Sequence, residues 1–462
     1  MVSKSLRVAI IGAGPAGFYC AGQLFKEYSD SVKVDMFDRL PVPFGLVRFG
    51  VAPDHLKIKS VTKLYERIAN KPGFRLWGNV EFGKHIDLED LRANYHCIVF
   101  AYGAQGSRRL SIPGENLQGS HAATDFVAWY NGHPDYSKYT FDLSVDTAVV
   151  VGIGNVAIDV ARILCLTKEE LLQSDIADYA MDALLQSRVR DVVLLGRRGP
   201  AQAAFTNPEI KELGDLQDAD IHVIDEEAEL DILSRQEVDL NGDKMLVRKV
   251  EIIQDFSERK YNNKSKVIRM RFLTSPVEIF GNGSGKVSGM RLVKNEIYRT
   301  DQGALKARPK DMYEDISVGL VLRSVGYLGS AVPDIPFDNE SGMICNSQGR
   351  ILNPETQEFL TGMYTCGWIK RGPTGVIGTN KEDSIESVNC LIEDVKSGKI
   401  LKPSDPSIVR IEELVRSRQP DVFTFMDWKQ IDNMEIDKGS LVGRPRIKFT
   451  STSSMLKALG RN

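Results

Sequence analysis

Two glycine-rich turns constrain the fold of this chain more than any other feature of the sequence. Residues 8–25 read VAIIGAGPAGFYCAGQLF and residues 149–164 read VVVGIGNVAIDVARIL, each an apolar strand, a glycine turn and a helix. In this pattern the first glycine permits the tight turn and the second lets the backbone approach a pyrophosphate at the helix N-terminus. Two such segments predict two bound nucleotides and a transfer between them.

The first turn has the GxGxxG spacing, with Gly12, Gly14 and Gly17. A second apolar strand follows at residues 32–37 and ends at Asp38. An acidic residue at this strand end accepts hydrogen bonds from an adenosine ribose. The first site is therefore predicted to bind FAD or NAD.

The second turn differs from the first at the end of the next strand. After Gly152 and Gly154 the third glycine is replaced by Ala157, which the pattern allows. The next strand, residues 192–195, is followed by Arg197 and Arg198 instead of an acid. Guanidinium groups form paired, charge-assisted hydrogen bonds with a phosphate dianion, which a carboxylate would repel. The second site is therefore predicted to bind NADPH.

Composition and cysteine spacing exclude several classes of protein. A net charge of -3 over 462 residues gives no overall attraction to nucleic acid, and at most a peripheral association with membranes. The six cysteines include no CxxC pair, which argues against a disulfide framework, structural zinc and a thiol-disulfide reductase. No metal site is predicted. No targeting segment is expected either, because the first strand begins within a few residues of Met1.

The order of strands predicts an α/β fold with two Rossmann-like domains, the NADPH domain inserted into the FAD domain. We expect the first part of the FAD domain at residues 1–105, the NADPH domain at 106–331, and the second part of the FAD domain at 332–462, ending in a polar tail that wraps the domain from about Pro403. Apolar runs at residues 97–104, 319–327 and 362–368 are expected to supply strands to the FAD-domain sheet.

Four longer motifs resemble the adrenodoxin reductase family, the NADPH:ferredoxin reductases of the glutathione-reductase-like superfamily. They are RLPVPFGLVRFGVAPDH (39–55), GNVAIDVARILC (154–165), GRRGPAQAAFT (196–206) and GWIKRGPTGVIGTN (367–380). The resemblance covers almost the whole chain and implies three-layer ββα domains of the glutathione-reductase-like type. Trp368 stands where the wider superfamily usually has an aspartate, and the adrenodoxin reductase branch shares that tryptophan.

The resemblance also implies roles for individual residues. The FAD positions it implies, beside Gly12, Gly14, Gly17 and Asp38, are Ala16, Leu46, Val80, Trp368, Gly375, Val376 and Ile377. The NADPH positions are Ile153, Gly154, Asn155, Val156, Arg197, Arg198 and Glu209. Pro208, just before Glu209, departs from the more helical family pattern. His55 and Asp159 resemble a pair proposed as a proton route in the family, and they are our candidate catalytic residues.

The activity that the resemblance implies is hydride transfer from NADPH to FAD, followed by single-electron transfer to an acidic [2Fe–2S] ferredoxin. Such a ferredoxin feeds cytochrome P450, iron–sulfur or haem pathways. Because eukaryotic members of the family are mitochondrial, the resemblance implies a mitochondrial location, in the matrix or at the inner-membrane face. Steering an acidic partner needs a local basic face. The candidates on the NADPH domain are Arg188, Arg190, Lys211, Arg259, Lys260, Lys264, Lys266, Arg269 and Arg271. A flavin monooxygenase and a nucleotide-sensing flavoprotein remain alternatives, because both can use two nucleotide turns.

Overall fold

The computed structural model describes residues 5–461, which form two compact units. The first unit comprises residues 5–106, Asn131–Ser137 and 326–461. The second comprises Ser107–Tyr130 and Lys138–Val325. The second unit is thus inserted into the sequence of the first, and Asn131–Ser137, within the predicted range of the NADPH domain, belong to the first unit.

The strands are numbered in chain order. They are β1 (Leu6–Ile11), β2 (Val32–Asp38), β3 (Phe74–Gly78), β4 (Cys97–Phe100), β5 (Gly106–Ser107), β6 (Ser120–Ala122), β7 (Thr147–Val151), β8 (Asp191–Leu195), β9 (Ala219–Val223), β10 (Lys266–Arg271), β11 (Thr274–Gly281), β12 (Val287–Arg299), β13 (Leu305–Ser317), β14 (Leu320–Arg323), β15 (Tyr327–Leu328), β16 (Phe337–Asp338), β17 (Met343–Ile344), β18 (Asn346–Ser347), β19 (Arg350–Leu352) and β20 (Phe359–Thr365).

The α-helices are numbered in the same way. They are α1 (Pro15–Tyr28), α2 (Leu46–Phe49), α3 (Leu56–Lys59), α4 (Thr62–Ala69), α5 (Leu88–Asn94), α6 (Ala123–Tyr130), α7 (Asn155–Cys165), α8 (Lys168–Leu172), α9 (Asp178–Leu185), α10 (Asn207–Leu213), α11 (Asp225–Ala228), α12 (Ile232–Asn241), α13 (Lys244–Ser257), α14 (Trp368–Arg371), α15 (Thr379–Ser397), α16 (Ile408–Arg418), α17 (Phe425–Ser440) and α18 (Thr452–Ala458).

The first unit is built on a seven-stranded sheet of order β18-β19-β20-β4-β1-β2-β3. Strands β20, β4, β1, β2 and β3 are parallel, and β19 and β18 add an antiparallel edge. All six residues of β1 are buried, as expected for a parallel strand that is covered on both faces. Alternate residues of β1 join two core clusters, one with α1, α15 and α17, the other with α5 and α16.

The second unit is built on a six-stranded parallel sheet of order β6-β14-β7-β8-β10-β9. The antiparallel sheet β11-β12-β13 packs on one face, where Val149 and Val193 share a core with Ile279 and Leu292. Helices α6 and α7 contact β14 and β7. This confirms the predicted ββα layering and the Rossmann-like fold class.

One predicted strand assignment is wrong. Residues 319–327 were expected to return to the sheet of the first unit, but β14 pairs in parallel with β6 and β7 of the second unit. A short apolar run such as LVLR fits the interior of either parallel sheet, so its pattern does not identify the sheet. By contrast, β20 does pair with β4 in the first unit.

The C-terminal segment, predicted as a polar wrapping tail, is largely helical. It contains α16, α17 and α18, and it is joined to the N-terminal part of the first unit by a buried ion pair. The guanidinium of Arg48 donates to both carboxylate oxygens of Glu435, at 2.9 and 2.6 Å. The Arg48 side chain is 5% exposed and that of Glu435 is 0% exposed.

Within residues 5–461 no helix combines the length and the apolar character needed to cross a bilayer. Over that same range no three His, Cys, Asp or Glu side chains are grouped so as to hold a metal ion. The six cysteines are free thiols.

Candidate nucleotide-binding sites

The two helices that come after the glycine turns begin without a side-chain cap. The N-cap residues are Gly14 for α1 and Gly154 for α7, and neither first turn contains an acidic residue. Helices α5, α8 and α17 of the same chain each have a complete capping box. The first N–H groups of α1 and α7 are therefore left for a ligand, and a pyrophosphate suits their positive charge.

The glycines of the turns satisfy two separate requirements. Gly12 has φ +114° and Gly152 has φ +129°, and a Cβ there would lie 2.5 Å from the carbonyl oxygen of Ala101 or 2.2 Å from that of Ser324. A Cβ on Gly14 or Gly154, by contrast, would meet no atom within 4 Å. The first glycine of each turn is thus required by the fold, while the second leaves open space of the kind a pyrophosphate needs.

Asp38 lies against the first turn, at the end of β2. Its Oδ2 accepts a hydrogen bond from the N–H of Ala13 at 2.7 Å, and its Oδ1 accepts one from Leu40 at 2.9 Å. Burial raises the pKa of the Asp38 carboxyl, and these two donors and the charge of Arg39 oppose that shift. A carboxylate held this way retains lone pairs for a ribose hydroxyl.

Leu46 and Val80 lie beside the same turn. The N–H of Phe44 donates to the carbonyl of Ala13 at 2.7 Å, which brings the start of α2, at Leu46, onto the glycine turn. Val80 is buried, and its N–H donates to the carbonyl of Asp38 at 2.8 Å. The structure therefore brings together the FAD positions drawn from four separate parts of the N-terminal sequence.

The C-terminal motif packs on the first turn of α1. A Cβ on Gly367, which has φ +78°, would lie 2.5 Å from the Cβ of Ala16. The half-buried Trp368 is the next residue; its Nε1 donates to the carbonyl of Thr374 at 3.2 Å, and its ring lies 5.2 Å from that of Tyr327. Trp368 is thus fixed next to the helix that begins at the first glycine turn.

Arg371 anchors the loop of residues 375–377 through side-chain hydrogen bonds, which the sequence does not reveal. Its guanidinium donates to the carbonyl of Thr374 at 2.6 Å, to Oγ1 of Thr379 at 3.2 Å and to Oδ1 of Asn380 at 3.1 Å. These acceptors lie on both sides of residues 375–377, so one side chain fixes the loop that the family resemblance assigns to the flavin. In the sequence, Arg371 is simply the second basic residue of the segment WIKR, with nothing to indicate this role.

The second glycine turn is covered by the loop that comes after the two arginines. The carbonyl of Ile153 accepts a hydrogen bond from the N–H of Ala204 at 3.1 Å. Oδ1 of Asn155 accepts one from the N–H of Thr206 at 2.9 Å. Val156 is the next residue on α7 and is half-buried. The motif 196–206 is therefore part of the same site as the motif 154–165.

Arg197 and Arg198 carry two charges without carboxylate partners. Arg197 is exposed and Arg198 is half-buried. No acid within residues 5–461 pairs with either guanidinium, although several other arginines of the second unit are ion-paired. Burial lowers the pKa of Arg198, and the neighbouring charge of Arg197 lowers it further. Two adjacent unpaired cations are suited to bind a dianion.

Glu209 and the candidate proton pair lie on three different helices. Glu209 lies on α10, half-buried, and its Oε2 is a buried acceptor with no hydrogen-bond donor among the described residues. His55 is the N-cap residue of α3 in the first unit. Asp159 lies on α7 in the second unit, where Oδ1 accepts a hydrogen bond from Nη2 of Arg162 at 2.6 Å. The proton route through His55 and Asp159 stays a prediction.

Comparison with known proteins identifies the family. A family model for pyridine nucleotide-disulphide oxidoreductases matches residues 6–195. NADPH-ferredoxin reductase FprA of Mycobacterium tuberculosis is 43% identical, over 97% of this chain and 98% of that protein. Human mitochondrial NADPH:adrenodoxin oxidoreductase is 39% identical, over 99% of this chain and 92% of that protein. The structure of M. tuberculosis FprA in complex with NADPH superposes with a TM-score of 0.93 at 41% identity, covering 98% and 100% of the two chains.

The mitochondrial location expected from the resemblance is wrong. The FprA proteins of M. tuberculosis and Mycobacterium leprae, at 43% and 42% identity, are bacterial, and the human mitochondrial protein is less similar. The motifs behind that expectation belong to the nucleotide sites, which bacterial and mitochondrial members share, so they carry no information about location.

The open space at both glycine turns, the uncapped helices and the unpaired arginines fit the two predicted cofactors, FAD and NADP(H), which the family confirms. The chain belongs to the adrenodoxin reductase family of FAD-dependent NADPH oxidoreductases.

Proposed function

We propose that this protein is an NADPH–ferredoxin reductase, which binds NADPH on the second unit and FAD on the first. The observation that carries the NADPH assignment is the pair Arg197 and Arg198, two cations without carboxylate partners beside the second glycine turn. The ferredoxin acceptor is supported by the names of the relatives, NADPH-ferredoxin reductase and NADPH:adrenodoxin oxidoreductase. We further propose that this ferredoxin is of the [2Fe–2S] type and supplies P450, iron–sulfur or haem pathways.

The residues of the first unit hold and orient FAD in this proposal. FAD, when bound, supplies the chemistry of accepting a hydride and releasing the two electrons one at a time. The N–H groups at the start of α1 bind its pyrophosphate and Asp38 binds its ribose. Trp368 and the loop of residues 375–377, fixed by Arg371, line the flavin end. The buried Val80 excludes water from the same site.

On the second unit, the residues bind and select the nicotinamide nucleotide. The start of α7 binds the pyrophosphate, and the guanidinium groups of Arg197 and Arg198 bind the 2′-phosphate. The unsatisfied Oε2 of Glu209 accepts a hydrogen bond from the nucleotide. We assign proton transfer to His55 and Asp159, because histidine titrates in the physiological range. This assignment is tested by the pH dependence of turnover, which should change in His55→Gln.

The docking face for the ferredoxin is proposed on fewer residues than the sequence indicates. Several candidates serve the fold: Arg271 is ion-paired with Glu227, and Arg269 with Asp191. Lys264 and Lys266 donate to backbone carbonyls, and Arg259 donates to the carbonyl of Gly214. The remaining exposed candidates are Arg188, Arg190, Lys211 and Lys260. We propose that an acidic ferredoxin docks on these residues.

Coenzyme selection tests the proposal directly. The double variant Arg197→Ala, Arg198→Ala should lower kcat/KM for NADPH by about 100-fold or more, because it removes charged hydrogen bonds worth about 1.5–3 kcal/mol each. The value for NADH should change less than about threefold. Arg248→Ala is the matched control, since Arg248 is an exposed arginine of the same unit paired with Glu251. Equal losses of kcat/KM with NADPH and NADH would show that Arg197 and Arg198 do not recognise the 2′-phosphate.

The electron acceptor is tested by cytochrome c reduction with NADPH. Rapid reduction only in the presence of a [2Fe–2S] ferredoxin supports the reductase. Oxygen consumption that depends on an organic substrate would instead identify a flavin monooxygenase, and slow flavin reduction would identify a nucleotide sensor. Lys211→Ala should raise KM for the ferredoxin, increasingly at low salt, and leave KM for NADPH unchanged.

A further inference from the structure

The loop that carries the two arginines is fixed through its backbone. The N–H of Gly196 donates to the carbonyl of Arg271 at 2.8 Å, and the carbonyl of Gly196 accepts from Thr274 at 2.9 Å. The carbonyl of Arg198 accepts from the N–H of Leu273 at 3.1 Å. The guanidinium groups have no protein carboxylate as partner, so the contacts of the loop backbone determine where the two side chains start.

The carbonyl of Arg197, between those contacts, is held by a side chain. Nδ2 of Asn295 donates to it at 2.9 Å and also to Oγ of Ser275 at 2.7 Å. Asn295 is 6% exposed and lies on β12, where the register with β13 is irregular. Its own N–H donates to the carbonyl of Leu273 at 2.7 Å. Asn295 thus joins β12 to the backbone of both arginines, directly at Arg197 and through Leu273 at Arg198.

A buried carboxylate makes this anchor rigid. Glu227 accepts hydrogen bonds from the N–H of Phe272 at 2.8 Å and from Nε of Arg271 at 3.1 Å. It also pairs with Lys294, the residue immediately before Asn295. The two segments that Asn295 connects are therefore fixed to each other independently of its amide, so the amide acts on the arginine loop and not on the packing of the strands.

We propose that Asn295 is a positioning residue that sets the preference for NADPH over NADH. Its amide fixes the carbonyl of Arg197, so that both guanidinium groups extend from a backbone of one geometry toward the 2′-phosphate. NADH lacks that phosphate, and its binding does not depend on the amide. The inference rests on the proposed binding of the 2′-phosphate by Arg197 and Arg198.

The experiment compares KM and kcat for NADPH and NADH in single variants of the flavin-loaded protein. Asn295→Ala removes one neutral hydrogen bond to the arginine loop and should raise KM for NADPH about three- to tenfold. KM for NADH and both kcat values should stay within about twofold. Asn295→Asp, of the same size, should raise KM for NADPH at least as much, because it turns an acceptor toward the carbonyl. Ser288→Ala is the matched control and should leave the NADPH to NADH ratio unchanged, because this exposed serine near the other end of β12 donates to the carbonyl of Phe280.

A variant cycle shows whether Asn295 acts through the two arginines. In an Arg197→Ala, Arg198→Ala background, Asn295→Ala should have little further effect on KM for NADPH. Two results would overturn the inference and leave the proposed phosphate binding intact. One is an equal rise of KM for both coenzymes in Asn295→Ala. The other is an unchanged KM for NADPH in Asn295→Ala when Arg197→Ala does raise KM for NADPH more than KM for NADH. If Arg197→Ala with Arg198→Ala treats both coenzymes alike, the proposed phosphate binding is wrong and the inference falls with it. If Asn295→Ala does not fold, Asn295→Ser decides on the same ratio.

Discussion

Replacing Glu435 with alanine is expected to lower the free energy of unfolding of the first unit by about 3–5 kcal/mol. The pair with Arg48 is fully enclosed, with side-chain exposures of 5% and 0%. The Arg48 guanidinium also lies over the rings of Phe49 and Trp428, 5.2 and 5.0 Å from their centroids. Removal of the carboxylate leaves a charge in this apolar setting without its counter-ion, and the desolvation cost is then not offset.

The same change should weaken FAD retention, because Arg48 lies on α2, next to the segment that contacts the first glycine turn. Thermal unfolding followed by flavin fluorescence and circular dichroism measures both effects. For a domain of 150–250 residues, about 1 kcal/mol corresponds to roughly 2–4 °C, so we expect the melting temperature to fall by about 6–20 °C.

Two controls separate this mechanism from general damage. The double variant Arg48→Met, Glu435→Leu removes both charges of the pair and should recover part of the loss, since apolar residues replace buried ion pairs at little cost. The recovery is partial because Nη1 of Arg446 and the N–H of Phe449 also lose Glu435 as an acceptor. Asp405→Ala removes an exposed partner, of Arg410, in the same unit and should cost no more than about 0.5 kcal/mol. A loss below about 1 kcal/mol in Glu435→Ala, or a double variant as unstable as the single one, would refute the reasoning.

Three further predictions concern pH, the glycine turns and the flavin loop. Burial lowers the pKa of His133 to about 4, so as pH falls below about 6.5 the unfolded chain takes up a proton that the folded chain does not, and the protein loses stability. His133→Leu should abolish up to about 3 kcal/mol of this acid destabilisation between pH 6.5 and 4, measured by urea unfolding. Gly14→Ala and Gly154→Ala should cost the apoprotein no more than about 1 kcal/mol, the difference between glycine and alanine as N-cap residues, because no atom meets the added Cβ. They should nevertheless weaken FAD and NADPH binding respectively by tenfold or more, and an unaltered affinity in titration would contradict the assigned turns. Arg371→Gln should speed FAD release about tenfold without changing KM for NADPH, and an unchanged release rate after dilution would show that the hydrogen bonds of Arg371 do not hold the flavin loop.

The sequence predicts those parts of the site that a single local segment determines. Each glycine turn needs only a buried strand, a left-handed first glycine and a helix, all within about 20 residues. Gly12 and Gly152 take the left-handed conformation, and Asp38 reaches the turn because β2 pairs directly with β1. Arg197 likewise comes just after the strand that pairs with β7. For these residues, the local sequence pattern and the neighbouring strand are enough to predict their place in the site.

The remaining contacts depend on residues that are distant in the chain. Arg48 and Glu435 are 387 positions apart, and the pattern around each indicates only a charged surface residue. The apolar positions of α16 and α17 alternate with many charged residues, so the sequence alone does not show that these helices pack on the core of the first unit. Asn295 takes its role from an irregular ladder between two strands, and a single sequence does not reveal where a ladder shifts.

The discontinuous first unit imposes an order on biosynthesis. Strand β4 lies between β1 and β20 in the seven-stranded sheet, yet more than half of the chain is translated between β4 and β20. At about 5–20 residues per second the ribosome leaves one side of β4 without its partner for on the order of ten seconds or more. The second unit, whose strands all fall within that interval, is complete and folds before the first can close. The growing chain is therefore most prone to aggregate through β4, and a helper protein that shields nascent strands should raise the yield of flavin-loaded enzyme.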